Sequence, residues 1–320
     1  MNSFQAIRQT IRMIANHDFL IQICRNAWHD QQKFFLLVVL LFAQHNFAQT
    51  DSVAFAKAIT KSVQIQKGIV LKQMLFAEKN LFASNQHISI VEITPARKTK
   101  FAIGYEAIKL KTTSEFGKES NALVAINGNF FDTKNGGSVD YLKVNGQVVN
   151  VNATTAGFRN FHQKAAIAIQ KGRLSIMPYN HFTDWESRLS ANEIMVTGPL
   201  LLFDSKPMLL DRSAFYANRH PRSVVATTAK GKILLITVDG RHANAAGMSL
   251  LEIQKILKWL KAQNAINLDG GGSSTLWVAG FPNNGVVNYP CDTKQWDHTG
   301  ERKVANVILV TSEAHLRKRL

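Results

Sequence analysis

The sequence predicts a mixed α/β (α+β) fold: one globular domain with a mixed sheet, β-hairpins in its first half and a β-α-β unit in its second. Three observations predict it. Ile233–Val238 and Ala265–Leu268 are short apolar runs joined by a helical pattern, and each runs into an Asp-Gly pair. Leu142–Val149 and Ala165–Met177 each fold back at an interior turn, Asn145-Gly146 and Lys171-Gly172. No repeat, low-complexity tract or Pro-rich linker divides the chain after its amino end. The 320 residues are 46% hydrophobic, enough for one sizeable core.

The amino end reads differently from the rest. Phe34–Ala43 is an uninterrupted apolar run after Lys33, too short to span a bilayer and suited to a signal-peptide core. Asn46-Phe47-Ala48 before Gln49 offers a cleavage site. Residues 1–48 are therefore expected to be a signal peptide with a long amino-terminal region, or an uncleaved anchor. Either way the protein is expected outside the cytoplasm, periplasmic or secreted, with membrane contact only through this segment. Cys24 would leave with the signal, and Cys291 alone cannot form an internal disulfide. Residues 49–68 are polar and weakly patterned, expected as a loose leader; 69–312 form the domain, and 313–320 a basic tail.

Within the domain, Ile69–Phe76 and His87–Ile93 read as strands, and Thr113–Glu119 as a short helix. Asn121–Asn127 is an apolar strand running into Gly128-Asn129-Phe130-Phe131-Asp132. Later, Ser249 and Glu252 form a capping box, with Met248 and Ile253 placed as a hydrophobic staple. Ile253, Ile256, Leu257 and Leu260 follow at the spacing of a buried helical stripe. If the flanking strands are parallel, the crossover puts both strand ends on one edge, where open α/β sheets bind ligands. Asp239 and Asp269 would meet there above Gly270, Gly271 and Gly272, whose amides suit an anion. Two turn-forming Asp residues beside a tight glycine turn explain the same pattern without a ligand. The glycines form neither a Walker A loop, since no Gly-Lys-Ser/Thr follows, nor a nucleophile elbow, since Thr275 stands where Gly is needed.

The segment INLDGGGSST resembles the signature of the phosphodiester glycosidase domain family. Val124–Asp132 (VAINGNFFD), Thr197–Leu202 (TGPLLL), Asn218–Ala226 (NRHPRSVVA), Leu234–Arg241 (LLITVDGR) and Gly300–Val310 (GERKVANVILV) resemble its other segments in order. The resemblance implies an enzyme that hydrolyses a sugar-1-phosphodiester, in bacterial-type members often within exopolysaccharide or envelope glycans. The expected partner is a phosphorylated glycan or sugar-1-phosphodiester. A non-catalytic glycan-binding domain on the same fold is the alternative. Glycosidic cleavage passes through an oxocarbenium-like state. Because the leaving phosphate is already acidic, the demand is for cations on the phosphate and a carboxylate near C1.

The resemblance therefore makes Asp239, Asp269, Asn127, Arg222 and Arg302 candidate catalytic residues. Gly128, Arg219, His220, Ser223, Arg241, Gly270, Gly271, Gly272 and Ser273 become candidate substrate-binding residues. Arg guanidinium meets phosphate through two parallel hydrogen bonds. No cofactor is assigned, and either Asp suits a divalent cation, calcium or magnesium. A formal charge of +16, from 38 Lys and Arg against 22 Asp and Glu, favours anionic partners. The basic residues are scattered and match no nucleic-acid module, so no nucleic acid is expected.

Overall fold

The structure, a computed structural model, describes residues 51–152, 159–211 and 213–312. The expected signal segment 1–48, with Cys24, and the basic tail 313–320 lie outside them. The described residues from Phe55 to Ser312 make one compact unit.

In chain order the first half contains β1 (Thr60–Gln66), β2 (Ile69–Leu81), β3 (Ser84–Ile93), β4 (Thr99–Tyr105), α1 (Thr113–Glu119), β5 (Val124–Asn127), β6 (Leu142–Val144), β7 (Gln147–Asn150), β8 (Ala165–Gln170) and β9 (Arg173–Pro178). The second half contains β10 (Glu193–Val196), β11 (Leu200–Phe203), β12 (Lys206–Pro207), α2 (Ala214–Ala217), β13 (Arg222–Thr228), β14 (Ile233–Val238), α3 (Leu250–Trp259), β15 (Ala262–Asn267), β16 (Leu276–Val278) and β17 (Asn306–Ser312). They form sheets of eight strands (β1-β2-β3-β14-β13-β15-β11-β12), five strands (β7-β6-β10-β8-β9) and four strands (β16-β5-β17-β4).

The expected mixed sheet is corrected here. The fold is β-rich, and every strand pairing among the described residues is antiparallel. The helix α3 does join two strands of one direction, but β13 runs antiparallel between β14 and β15 and pairs with both. The misreading has a physical cause. Strand β14 is buried at all six positions because the large sheet is covered on both faces. Leu234 and Ile236 pack with Ile253, Ile256 and Leu257 of α3, while Ile233 and Leu235 face a second core containing Ile167, Ile126 and Ile308 of the other sheets. A strand buried on both faces loses its polar alternation and looks like a parallel one.

The helix forms as its sequence dictates. Ser249 Oγ accepts from Glu252 N at 3.2 Å, and Glu252 Oε2 accepts from Ser249 N at 2.9 Å, so two amides without helical partners are satisfied. The stretch expected as a loose leader is also corrected: β1 lies within it and pairs with β2 as an edge strand. The two hairpins close at positive-φ turns, Asn145-Gly146 and Lys171-Gly172.

Candidate functional site

At one edge of the eight-stranded sheet, β14 and β15 both end, and Pro221 leads into β13 between them. Gly271 N donates to Pro221 O at 2.9 Å, and a Cβ on Gly240 would stand 2.9 Å from Pro221 N. Asp239 and Asp269 therefore share this edge, but their surroundings differ.

Asp239 is 1% exposed, and both its oxygens are engaged. Oδ2 lies 2.6 Å from His87 Nδ1, while Oδ1 accepts from Asn288 Nδ2 at 2.8 Å and from Tyr289 N at 3.0 Å. The carboxylate ties β3, β14 and the 288–289 segment together. Its neighbours were not singled out in the sequence, because the His87 contact depends on the β3–β14 register, which pairs Val238 with Ile88. Tyr289 also lines a cavity of about 250 Å³, together with Lys61, Gln73, Asn283 and His298.

Asp269 is only partly buried and is the more open carboxylate. Its Oδ1 accepts from Gly270 N at 2.9 Å. Burial pushes its pKa up to about 6, against the opposing pull of Ser273, the Gly270 amide, Arg302 and Arg241. The buried Ser273 hydroxyl stands near Asp269 and opposes that rise. The two guanidiniums border the glycine turn. A Cβ on Gly271 would meet Arg241 Nη2 at 3.0 Å, and one on Gly272 would meet Arg302 Nη2 at 2.4 Å. Arg302 Nη2 donates to Asp292 Oδ1 at 2.6 Å, which holds that side chain over the turn.

Several expected ligand contacts become framework. Asn127 is fully buried: its Nδ2 donates to Asp269 O at 2.7 Å, and its Oδ1 accepts from Ser223 Oγ at 2.6 Å and Thr275 N at 3.2 Å. Asn127 and Ser223 thus anchor the glycine turn from below. Gly128 is also buried. Its carbonyl accepts from Asp269 N at 3.0 Å, and a Cβ there would lie 1.9 Å from Asn306 Oδ1. The expected anion nest is reduced as well. The Gly270 amide serves Asp269 and the Gly271 amide serves Pro221, which leaves Gly272 as the remaining one of the three.

Arg222 is 1% exposed and acts as a clamp on carbonyls. It donates from Nε to Met248 O at 3.0 Å, and from Nη2 to Phe215 O at 2.6 Å and Asn218 O at 3.0 Å. Burial, and then Arg241, lower its pKa to about 10. Arg219 pairs with Glu252 at 2.6 Å beside the start of α3, not with the glycine turn. His220 is half-buried; its pKa is lowered by burial, then by Arg222 and Arg241. The structure thus brings Asp269, Gly270–Gly272, Ser273, Arg241 and Arg302 together, with His220 and Arg222 beside them. Asp292, which positions Arg302, carries no motif signal in the sequence. Among the described residues no three His, Cys, Asp or Glu side chains converge as metal ligands. No helix among the described residues is long and apolar enough to cross a membrane.

Comparison with known proteins adds the following. The phosphodiester glycosidase family model matches residues 120–311. The SPbeta prophage-derived uncharacterized protein YomE of Bacillus subtilis (strain 168) is 25% identical over 253 residues, 71% of this chain and 38% of that protein. The N-acetylglucosamine-1-phosphodiester alpha-N-acetylglucosaminidase of Mus musculus is 26% identical over 215 residues, 62% of this chain and 39% of that protein. The chain thus spans about two fifths of the length of these relatives. Among solved structures, the zebrafish N-acetylglucosamine-1-phosphodiester alpha-N-acetylglucosaminidase catalytic domain auto-inhibited by its pro-peptide aligns with TM-score 0.60 at 21% identity, covering 80% of this chain and 88% of that one. A hypothetical protein from Synechocystis aligns with TM-score 0.57 at 17% identity, covering 80% and 64%. At these identities the structural likeness is one of fold.

Proposed function

Since the chain belongs to the phosphodiester glycosidase family, we propose that it is a hydrolase that cleaves a sugar-1-phosphodiester and frees the sugar from an esterified phosphate. The observation that carries this reading is the arrangement at the strand edge: one partly buried carboxyl, Asp269, between two guanidiniums, Arg241 and Arg302, on a glycine turn. The relatives named for activity on N-acetylglucosamine-1-phosphodiester support the same substrate class.

In this reading Arg241 and Arg302 hold the phosphate and take up the charge that grows on it as the C1–O bond breaks. The departing phosphate is a weak base and needs little protonation, so one carboxylate can serve. With a pKa near 6, Asp269 is mostly ionised at neutral pH yet remains basic enough to accept a proton from an attacking water. Its charge also stabilises the oxocarbenium-like state. Asp292 and the Gly270 amide act indirectly, by fixing Arg302 and the carboxylate.

The natural substrate is proposed to be an exported or envelope glycan, which rests on the apolar run 34–43 and the charge of +16. Amino-terminal sequencing should find the mature chain starting near Gln49; an intact Met1 on cytoplasmic protein would remove the export reading. For the activity, the purified protein is offered a panel of sugar-1-phosphodiesters, with plain glycosides as controls. Release of sugar from the phosphodiesters alone is expected. Binding without turnover across the panel would favour a non-catalytic glycan-binding domain instead.

A further inference from the structure

We infer that Phe130, Phe215 and His162, backed by Asp140, form the subsite for the sugar ring, so that the substrate lies with its phosphate toward Arg241 and Arg302 and its sugar toward Phe215. The inference rests on the proposed phosphodiester reading and adds an orientation to it.

Three rings meet beside the glycine turn without being sealed into the core. Phe130 stands 4.9 Å from His162 and 6.1 Å from Phe215, centroid to centroid. Phe215 is 37% exposed, although its neighbour Tyr216 is buried. The group is joined to the turn by one side chain. The Arg222 guanidinium lies 4.9 Å over the Phe215 ring, and Arg222 Cδ is 3.8 Å from where a Cβ of Gly270 would stand. Phe130 also follows closely on Asn127 and Gly128, which hold Asp269 in place.

Behind the rings lies a polar pair used by nothing described so far. Asp140 is fully buried; its Oδ1 accepts from Gln163 Nε2 at 2.8 Å and stands 3.3 Å from His162 Nε2. Its Oδ2 is buried and lacks a donor among the described residues. With Nε2 turned to Asp140, Nδ1 is the His162 nitrogen that remains for a ligand.

Aromatic faces with a few fixed polar groups match the chemistry of a pyranose, whose ring C–H faces are apolar and whose rim is hydroxylated. The charges sort the two ends. A phosphate at the Phe130 shelf would meet the Asp140 carboxylate and a single guanidinium, Arg222, whose hydrogen bonds already go to three backbone carbonyls, whereas at Arg241 and Arg302 it meets two. A neutral sugar carries no such penalty beside Asp140, and its hydroxyls can donate to His162 Nδ1.

The test is isothermal titration of the full chain with inorganic phosphate and with the 1-phosphates of N-acetylglucosamine, glucose, galactose and mannose. At least one sugar 1-phosphate is expected to bind more tightly than inorganic phosphate. Phe215→Ala should weaken that ligand by about threefold to tenfold, the range of one lost ring contact, and leave inorganic phosphate within about twofold. His162→Gln, checked for an unchanged melting temperature, should act in the same sense and covers the case in which Phe215→Ala fails to fold. Arg302→Gln should weaken both ligands. If inorganic phosphate binds but no sugar 1-phosphate gains over it, or if the gain survives both shelf variants, the subsite is overturned and the phosphodiester reading stands. If inorganic phosphate fails to bind the wild-type chain, the phosphodiester reading itself falls, and the subsite with it.

Discussion

Two residues of the strand edge separate chemistry from framework. Asp269 has its pKa raised to about 6 because burial penalises its charge. A group whose folded pKa is raised stabilises the fold fully only below its unfolded value, and that stability is lost as pH rises through the folded one. Between about pH 4 and 6 Asp269 therefore takes up a proton that favours folding, and at pH 7 its ionised form is a cost. Asp269→Asn removes the charge and keeps an acceptor for Gly270 N, so at pH 7 the melting temperature should hold or rise. Turnover should fall by roughly a hundredfold or more, a few kcal/mol in the barrier. Wild-type activity should rise through about pH 6 as the carboxylate ionises. Full activity in a stable Asp269→Asn protein would exclude the carboxylate from the chemistry. Arg222 makes the opposite case. The sequence alone places it with the phosphate, but its three hydrogen bonds go to backbone carbonyls. Arg222→Lys keeps the charge and cannot make that fork, so denaturant unfolding should show a loss of about 1–3 kcal/mol, while KM changes less than for Arg302→Lys. A variant of unchanged stability with a sharply raised KM would return Arg222 to the phosphate.

At the scale of elements, what was legible follows from whether the determining contact is local. The capping box of α3 and the turns at Asn145-Gly146 and Lys171-Gly172 depend on neighbours in sequence, and each forms where the residues indicate. The strands β14 and β15 were legible as strands, but their pairing was not. Nothing within Ile233–Asn267 announces that β13, which precedes both, inserts between them. The same limit applies to the site. Asp269, Arg241 and Arg302 were found through motifs, but the partners that decide which groups stay available, such as His87 for Asp239 and Ser223 for Asn127, lie 152 and 96 residues away. The glycine turn gives a test at this scale. Gly271 has φ +64°, a region that β-branched residues avoid, and a Cβ there would press on Arg241 Nη2 at 3.0 Å. Gly271→Val should lower the unfolding free energy by about 1–3 kcal/mol through backbone strain. It should also raise KM by displacing Arg241. Strain without any change in KM would mean that Arg241 is not at the binding surface.

For the molecule as a whole, the motifs describe the strand edge well and the start of the sheet poorly. Strand β1 carries little strand signal in the sequence because Thr60–Gln66 is mostly polar and exposed, as an outermost strand can be when only one of its faces has neighbours to cover. It pairs with β2 from Thr60↔Met74 to Gln66↔Ile69, and its Ile65 packs against the large core. A chain shortened to begin at Ile69, the boundary the sequence suggests, would lose that cover. Strand β2 is 13 residues long, with Ile69, Leu71, Met74 and Phe76 buried, and its outer backbone groups would become an open hydrogen-bonding edge. Long exposed edges of apolar strands recruit other chains. The chain beginning at Ile69 should therefore form larger species in size-exclusion chromatography, and melt earlier, than one beginning at Asp51. Activity per folded molecule should change little, because the glycine turn stands at the junction of β14, β13 and β15, strands that do not pair with β1. Equal solution behaviour of the two chains would show that β1 is dispensable and that the core closes without it.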